Sequence, residues 1–440
     1  MQKIFKLVNK DINKLARVDI RFLFLIGLLI TLPAFEALKN IFAILFVVSW
    51  VVVAKKNHYW GGRWRIIDSI FLLWILADIF VSINAIITHQ LPGENLRDII
   101  RFVLIAWVLS RTNFSKERLT QLALVAVVAV IVTLIYSYYA GRGELEELYS
   151  VGHINHTAIY LVITYAISLA LLLFNFSNLS SYQKITLVVT TLVLFFTTID
   201  TESRAAFGLL IIINLLYFLY YLISVRKSSL VVVVFGVIAC IGILFTQSQT
   251  ANFKEIHNMT IAFTDTLPIS YNEQEHTLDT NTRNKIREFS YYAFKTSPLL
   301  GVGFKNFGQI TMDDIKDEVL KDKGVLDSEL YLPSSHAHNV YYNYLVSGGL
   351  LTFSIFMWFW FYIFWVIGKH VVLNNVRIYR NKFPENEWIV LSAISVVLVD
   401  LVIGWVNTTL HHEHAILSMF VLGLLIAQFR MSESIEELAG

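Results

Sequence analysis

The sequence predicts an all-α integral membrane protein with about twelve transmembrane helices and one long loop outside the membrane. Of its 440 residues, 56% are hydrophobic and only 15% are charged, whereas a soluble domain carries roughly 25% charged residues. Apolar stretches recur along most of the chain, and a helix needs about 20 such residues to cross a bilayer. Lysine and arginine concentrate in alternate loops, which is typical of a membrane topology.

The overall charge and the cysteine content exclude several classes of function. Thirty-five basic and 33 acidic residues give a formal net charge of +2, so nucleic-acid binding has no electrostatic basis. Cys240 is the single cysteine, which rules out an intrachain disulfide or a cysteine-based metal site. Residues 1–22 are basic and amphipathic, and we expect a cytoplasmic surface helix there rather than a signal peptide.

Twelve apolar stretches are predicted to span the membrane. They lie near residues 20–37, 38–54, 66–88, 96–110, 117–140, 156–175, 184–200, 204–225, 229–247, 338–368, 387–408 and 412–430. Most basic residues outside the spans then fall on the same side as the basic N-terminus. The short segments on the other side hold only Lys39, Arg97, Arg101, Arg142 and Arg204. The asymmetry therefore predicts that both termini are cytoplasmic.

The predicted spans divide the chain into three regions. Residues 1–247 hold the N-terminal helix and nine spans, and residues 338–440 hold the last three spans and a short cytoplasmic tail. Residues 248–337 are polar and form a large external loop with helices of its own. Loops longer than about 12–15 residues usually carry function, so we expect the chemistry in or beside this loop.

The first candidate stretch is D-T-E-S-R at residues 200–204, before the eighth span. Thr201 or Ser203 can cap that helix. The free amides of the helix N-terminus, beside Arg204, then favour a bound phosphate. The alternative is that Arg204 only reaches the membrane interface and pairs with Glu202.

The second candidate stretch runs from residue 281 to residue 303 in the long loop. Thr282 is a candidate helix cap, and Arg283 and Arg287 share one helix face because they are four residues apart. Two cations beside a membrane suit a diphosphate or an anionic lipid. The alternative is an ordinary solvated helix face.

The same stretch ends in P-L-L-G-V-G at residues 298–303. Pro298 is expected to end the helix. Gly301 and Gly303 predict a turn where two backbone segments approach closely. A bare G-x-G without a preceding strand is a weak nucleotide-binding signal.

The third candidate stretch is S-S-H-A-H-N at residues 334–339, where the loop re-enters the membrane. A histidine in the first turn of a helix is held neutral by the helix dipole, and a neutral imidazole can accept a proton. His338 and His336 are both candidate bases, with Asn339 beside them. The alternative is that these side chains cap the helix or contact headgroups.

Two further features are assigned no catalytic role. H-H-E-H at residues 411–414 lacks the spacing of a zinc-protease helix, so we favour an interfacial turn over a zinc site. Asp78 and Asp400 lie within predicted spans, where acidic groups are costly and often functional, but their position fixes no role.

Taken in order, the three stretches resemble the O-antigen ligase family of membrane glycosyltransferases. The resemblance covers about residues 190–360, through S-R-A-A from 203, R-x₁₄-P-L-L-G-V-G from 283 and H-x-H-N-x₅-L-x₃-G from 336. It implies a twelve-span, GT-C-like fold in the bacterial inner membrane. It also implies a metal-independent enzyme without a cofactor, which moves a polysaccharide from undecaprenyl pyrophosphate to lipid A-core at the periplasmic face during lipopolysaccharide biosynthesis.

The resemblance also implies roles for individual residues. Arg204 and Arg283 correspond to the family's arginines at the lipid pyrophosphate, and His338 corresponds to its essential histidine. The supporting candidates are His336, Asn339 and Arg287. The family often has an aromatic residue in place of Arg287, which puts the role of this arginine in doubt.

Three alternatives remain open. An O-antigen polymerase or a protein O-oligosaccharyltransferase uses the same class of donor. None of the three candidate arginines has the R-x₁₀-G spacing frequent in polymerases, and the stretch from Arg430 to Gly440 is short for a protein-glycosylating member. A secondary transporter is a more distant alternative, since transporters often show repeated halves with charges at the midplane.

Overall fold

A computed structural model of the chain describes residues 19–89, 91, 96–142, 147–224, 277–326, 330, 334, 336–378 and 386–439. Within these ranges the protein is all-helical, with no β-strand. The predicted fold class is therefore confirmed. The N-terminal surface helix and the span at 229–247 lie outside the described residues.

The described ranges contain thirteen α-helices, numbered here in chain order. They are α1 (Ile20–Thr31), α2 (Glu36–Asn57), α3 (Ile66–Thr88), α4 (Leu96–Ser110), α5 (Lys116–Ser137), α6 (Ile154–Phe174), α7 (Ser181–Asp200), α8 (Arg204–Ser224), α9 (Thr277–Thr296), α10 (Met312–Lys323), α11 (Val340–Ile378), α12 (Glu387–Val402) and α13 (His412–Ala439).

Most of these helices are long and apolar enough to cross a membrane. Nine candidate spans lie in the described ranges, in α2, α3, α5, α6, α7, α8, α11, α12 and α13. Helices α1 and α4 are apolar but shorter. The protein is thus a multi-pass membrane protein, while the total of twelve spans stays a prediction.

The predicted end of the first span is wrong. A helix over 20–37 was expected, but α1 ends at Thr31 and α2 starts at Glu36. Pro33 lies between them, and a proline has no amide hydrogen with which to continue the helical ladder. The two helices are consequently separate and pack against each other.

Helix α6 lies at the centre of the bundle. Almost all of its side chains from His156 to Phe174 are buried, and it contacts α5, α7, α8, α12 and α13. A helix that is apolar all round and buried all round belongs in a core. Outer helices instead expose large apolar side chains, such as Ile44, Ile87 and Ile185, toward the lipid. Helix α6 is therefore held by its neighbours along most of its length.

Helix α11 is broken near its start, at Gly349. The backbone of Gly349 has φ 61° and ψ −165°, a conformation open essentially only to glycine. Residues 298–303 lie against this break. Four backbone hydrogen bonds join the two segments: Val302 N to Val346 O (2.9 Å), Gly303 N to Ser347 O (2.8 Å), Leu350 N to Pro298 O (2.8 Å) and Leu351 N to Leu299 O (3.2 Å). The backbone amides and carbonyls that lose their helical hydrogen bonds at the break thus find partners in residues 298–303.

The glycines of the 298–303 segment make this close approach possible. Gly301 has φ 64°, and a Cβ added there would lie 2.5 Å from Val346 O. The predicted turn with close backbone approach is confirmed. Helix α9 ends at Thr296, so the expected end of this helix before Pro298 is also confirmed.

We expect Gly349→Ala to destabilise the protein strongly. The alanine would be forced into a glycine conformation, which costs about 1–3 kcal/mol, and its Cβ would lie 2.3 Å from the carbonyl carbon of Leu299. The midpoint of thermal unfolding in detergent measures the loss.

Gly368→Ala is the matched control, since it lies in the same helix. No described heavy atom lies within 4 Å of a Cβ added at Gly368, so the change should be neutral or stabilise by about 0.5–1 kcal/mol. Equal effects of the two substitutions would contradict the role given to the break.

Candidate functional site

A cavity of about 430 Å³ opens at one end of the bundle, called here the cavity end. It is lined by His153, Asn155, Ile159, Glu202, Ser203, Arg204, Ala205, Thr282, Arg283, Ile286, His338, Ile403, Val406 and Asn407. Three of these residues, Arg204, Arg283 and His338, come from the three stretches singled out in the sequence. The fold thus brings all three to one cavity, which their separation in sequence does not by itself require.

Arg204 is the first residue of α8 and is exposed at the cavity. The preceding residue, Ser203, accepts the first helical hydrogen bond through its backbone carbonyl, from Phe207 N at 2.9 Å. Of the two caps predicted for α8, Ser203 holds the position directly before the helix, and only Thr201 is ruled out. Its hydroxyl donates to Thr198 O at 2.7 Å, because Thr201 ends the preceding helix α7. The N-terminus of α8 still adds its amides and positive dipole end beside Arg204.

Arg283 and Arg287 lie on helix α9. The suggested cap at Thr282 is wrong, because α9 already begins at Thr277. Arg283 lines the cavity. Arg287 instead donates through Nη2 to Trp405 O at 3.1 Å, with its guanidinium 6.0 Å from the centre of the Trp405 ring. Burial, and then the charge of Arg283, lowers the pKa of Arg287 below its usual value.

Asn339 caps helix α11, which begins at Val340. Its side-chain oxygen accepts from Tyr341 N at 2.9 Å and from Tyr342 N at 3.0 Å, as an N-cap residue does. Its side-chain amide donates to Trp405 O at 2.9 Å. The side chain is buried, so the start of α11 is held firmly.

His338 lies just before this cap. The expectation that it occupies the first turn of the helix is wrong, because Asn339 is the better capping residue and the helix starts after it. His338 has a left-handed backbone, with φ 47°, and its amide donates to His336 Nδ1 at 3.3 Å. The ring centres of His336 and His338 are 4.2 Å apart. Burial lowers the pKa of His336 below its usual value.

The carbonyl oxygen of Trp405 links these elements. It accepts from Arg287 on α9 and from Asn339 at the start of α11. One backbone oxygen therefore helps to set the distance between the helix that carries Arg283 and the residue next to His338. A backbone acceptor leaves no signal in the sequence, and sequence reasoning missed it.

Seven of the chain's 12 histidines lie together at the cavity end. Each has a ring centre within 6.4 Å of another member. This histidine cluster consists of His153, His156, His336, His338, His411, His412 and His414. Ring nitrogens of His156, His411 and His412 lie within 4.8 Å of one another, close enough to hold one metal ion.

Sequence reasoning missed the contribution of helix α6 to the site. His153 caps α6, because its Nδ1 accepts from Asn155 N at 3.2 Å, and both residues line the cavity. Their segment, V-G-H-I-N-H at 151–156, lies at the edge of the span predicted near 156–175. The accumulation of two histidines and an asparagine at one helix start was the available signal.

The charged side chains that line the cavity are two arginines and one glutamate, Glu202. With neutral histidines the described lining has an excess of positive charge. Guanidinium groups present planar pairs of donors that match phosphate oxygens. The cavity is therefore suited to an anionic group, with an imidazole at its edge.

A comparison with known protein families bears on the predicted resemblance. The family model described as O-antigen ligase matches residues 189–357, so this segment is similar to the O-antigen ligase family. The resemblance predicted over about residues 190–360 is thus confirmed, and the match supports O-antigen ligase or polymerase-type function in general. No curated protein matches the chain.

The O-antigen ligase segment contains the three residues singled out in the cavity. Helices α8, α9 and α10 and the start of α11 fall within it. The remaining cavity walls, from α6 and from residues 403–407, lie outside it. The roles of the individual residues stay predictions.

We expect Asn339→Ala to loosen the start of α11. The loss of an N-cap side chain costs about 0.5–2 kcal/mol, and the buried amide contact to Trp405 O is lost as well. Thermal unfolding in detergent measures the change. Asn339→Ser is the matched variant, because serine retains a capping oxygen. A serine variant no more stable than the alanine variant would contradict the capping role.

Proposed function

We propose that the protein is an O-antigen ligase that acts in lipopolysaccharide biosynthesis. It transfers a polysaccharide from undecaprenyl pyrophosphate to a sugar hydroxyl of lipid A-core. The single observation that carries this proposal is the shared cavity of Arg204, Arg283 and His338. The O-antigen ligase family segment, which contains all three residues, supports it.

The two arginines bind the pyrophosphate of the donor. Arg204 extends from the N-terminus of α8, and Arg283 faces the same cavity from α9. As the bond between the sugar and the pyrophosphate breaks, negative charge grows on the departing phosphate oxygen. Preorganised cations stabilise that charge most in the transition state, which is how they accelerate the reaction. Neither a metal ion nor a cofactor takes part in this step.

His338 acts as the general base. Its neutral imidazole takes the proton of the acceptor hydroxyl, and the hydroxyl oxygen attacks the anomeric carbon of the donor glycan. The undecaprenyl pyrophosphate leaves with the electron pair of the broken bond. His336 supports this arrangement because its Nδ1 accepts the His338 amide.

The distribution of charge supports a periplasmic site in the bacterial inner membrane. The end of the bundle opposite the cavity carries Arg65, Arg111, Lys369 and Arg430, which pair there with Asp68 and Glu433. The positive-inside rule favours a cytoplasmic position for that end. The cavity end then faces the periplasm, where undecaprenyl-linked glycans are consumed.

The acceptor distinguishes the ligase from its neighbours in the family. A polymerase extends a second lipid-linked glycan, and a protein O-oligosaccharyltransferase modifies serine or threonine. In vitro transfer with purified protein, an undecaprenyl-pyrophosphate glycan and lipid A-core, followed by gel mobility, separates the three. A lengthened donor glycan or a labelled protein, in place of a shifted lipid A-core, would overturn the ligase assignment.

We expect His338→Asn to lower the rate of transfer by about 10²–10⁴-fold, because a positioned base typically supplies that factor. Asparagine tolerates the left-handed backbone of this position but accepts no proton from the hydroxyl. His58→Asn is the matched control, since His58 also has a positive φ, 50°, and is exposed. Full activity of the His338 variant at unchanged membrane levels would contradict the role of base.

Arg204→Lys and Arg283→Lys should each lower the rate by about 10²–10³-fold. Lysine keeps the charge but loses the paired donors that match a phosphate. Initial rates at saturating donor measure the effect. Arg118→Lys, at the start of α5, is the control and should leave the rate unchanged. If both site variants were as active as this control, a positive charge alone would be enough for the reaction and the proposed bidentate contact with the phosphate would be wrong.

A further inference from the structure

The turn between α12 and α13 packs its histidines against the first turn of α6. The ring centre of His156 is 5.9 Å from that of His411 and 5.3 Å from that of His412. The rings of His411 and His412 are 3.7 Å apart. One nitrogen from each of the three side chains lies within 4.8 Å of the others. Three nitrogens at this spacing can converge on one point.

Two nitrogens of these three histidines are buried without a hydrogen-bond partner among the described residues. They are Nδ1 of His156 and Nδ1 of His411. Leaving a buried polar atom without a partner is costly, and native structures contain few such atoms. Two of them within one set of three side chains point to a bound species that accepts their electron pairs.

A histidine binds a metal ion through a ring nitrogen that carries no proton. The nitrogens of His156, His411 and His412 that lie within 4.8 Å of one another are thus donors of the kind that a transition metal ion takes.

The turn that carries two of the histidines is anchored by its next residue. Glu413 is buried and forms an ion pair with Lys39 of α2, and the hydroxyl of Ser150 donates to Glu413 Oε1 at 3.4 Å. The backbone of His412 is left-handed, with φ 51°. These contacts hold the backbone of the turn that carries His411 and His412.

We propose that His156, His411 and His412 bind one divalent transition metal ion, for which Zn²⁺ is the probe. Imidazole nitrogens suit zinc, copper, nickel and iron, and three histidines bind zinc with a fourth position left open. The ion would tie the start of α6 to the α12–α13 turn. The sequence analysis favours an interfacial turn over a zinc site at residues 411–414, and this proposal departs from that expectation.

The proposed ion has a positioning role rather than a place in the transfer reaction. Its three ligands are not among the residues that line the cavity. The ring of His411 lies 6.4 Å from that of His336, which in turn contacts His338. The ion would therefore fix the wall behind the proposed base without touching the pyrophosphate.

Metal content of the purified full-length protein tests the site. The protein is prepared in detergent with any affinity tag removed, stripped with a chelator, and dialysed against Zn²⁺. Mass spectrometry should then find about one zinc per chain. Replacement by Co²⁺ should give the visible absorption of a nitrogen-bound tetrahedral ion. A wild-type chain that takes up no zinc would overturn the proposal, and the cluster would then be hydrated instead.

Two matched variants locate the ion. His412→Asn should abolish zinc binding, whereas His58→Asn should retain it, and both positions have nearly the same backbone, with φ 51° and 50°. His156→Gln, within a regular helix, provides a second test. Zinc should raise the unfolding temperature of the wild type and of His58→Asn but not of the other two, because a ligand stabilises only the state that binds it. Equal zinc content in all four proteins would overturn the proposal, and since transfer is not measured, the proposed function would be unaffected.

Discussion

The structure depends on one constraint: buried backbone groups need hydrogen-bond partners from the protein itself. Helix α11 breaks at Gly349, and residues 298–303 supply the four hydrogen bonds that its broken ladder requires. A break of this kind is stable only where another segment fills it. The 298–303 segment follows α9 directly, so the constraint ties the loop helix that carries Arg283 to the helix that follows His338.

The geometry of the cavity follows from that connection. The segment that follows α9 packs against α11, so α9 can still change its tilt relative to the start of α11. The carbonyl oxygen of Trp405 restricts this tilt, because it accepts hydrogen bonds from Arg287 of α9 and from Asn339 at the start of α11. The proposed base and one proposed phosphate ligand are thus positioned by backbone contacts and a cap, on rigid elements rather than on a loose loop.

The sequence predicted those features that rest on local chemistry. Hydropathy predicted most of the spans, and Pro298 predicted where α9 ends. Helix starts were less predictable, because neighbouring residues compete for the same role: Asn339 rather than His338 caps α11, and Thr201 ends one helix instead of starting the next. The histidine cluster could not be predicted, since His156 reaches the 411–414 turn only through the packing of α6 at the centre of the bundle.

The family segment and the histidine cluster divide the site into two parts with different physical tasks. The residues proposed to act on the substrate lie within residues 189–357, on helices that enclose the donor side of the cavity. The three proposed metal ligands lie outside this segment, on elements that contact α2, α4 and α12 within the bundle. Residues that stabilise charge must lie next to the reacting atoms, whereas contacts that make the site rigid can lie behind them. The proposed metal ion would therefore hold the cavity wall in place without taking part in the transfer step.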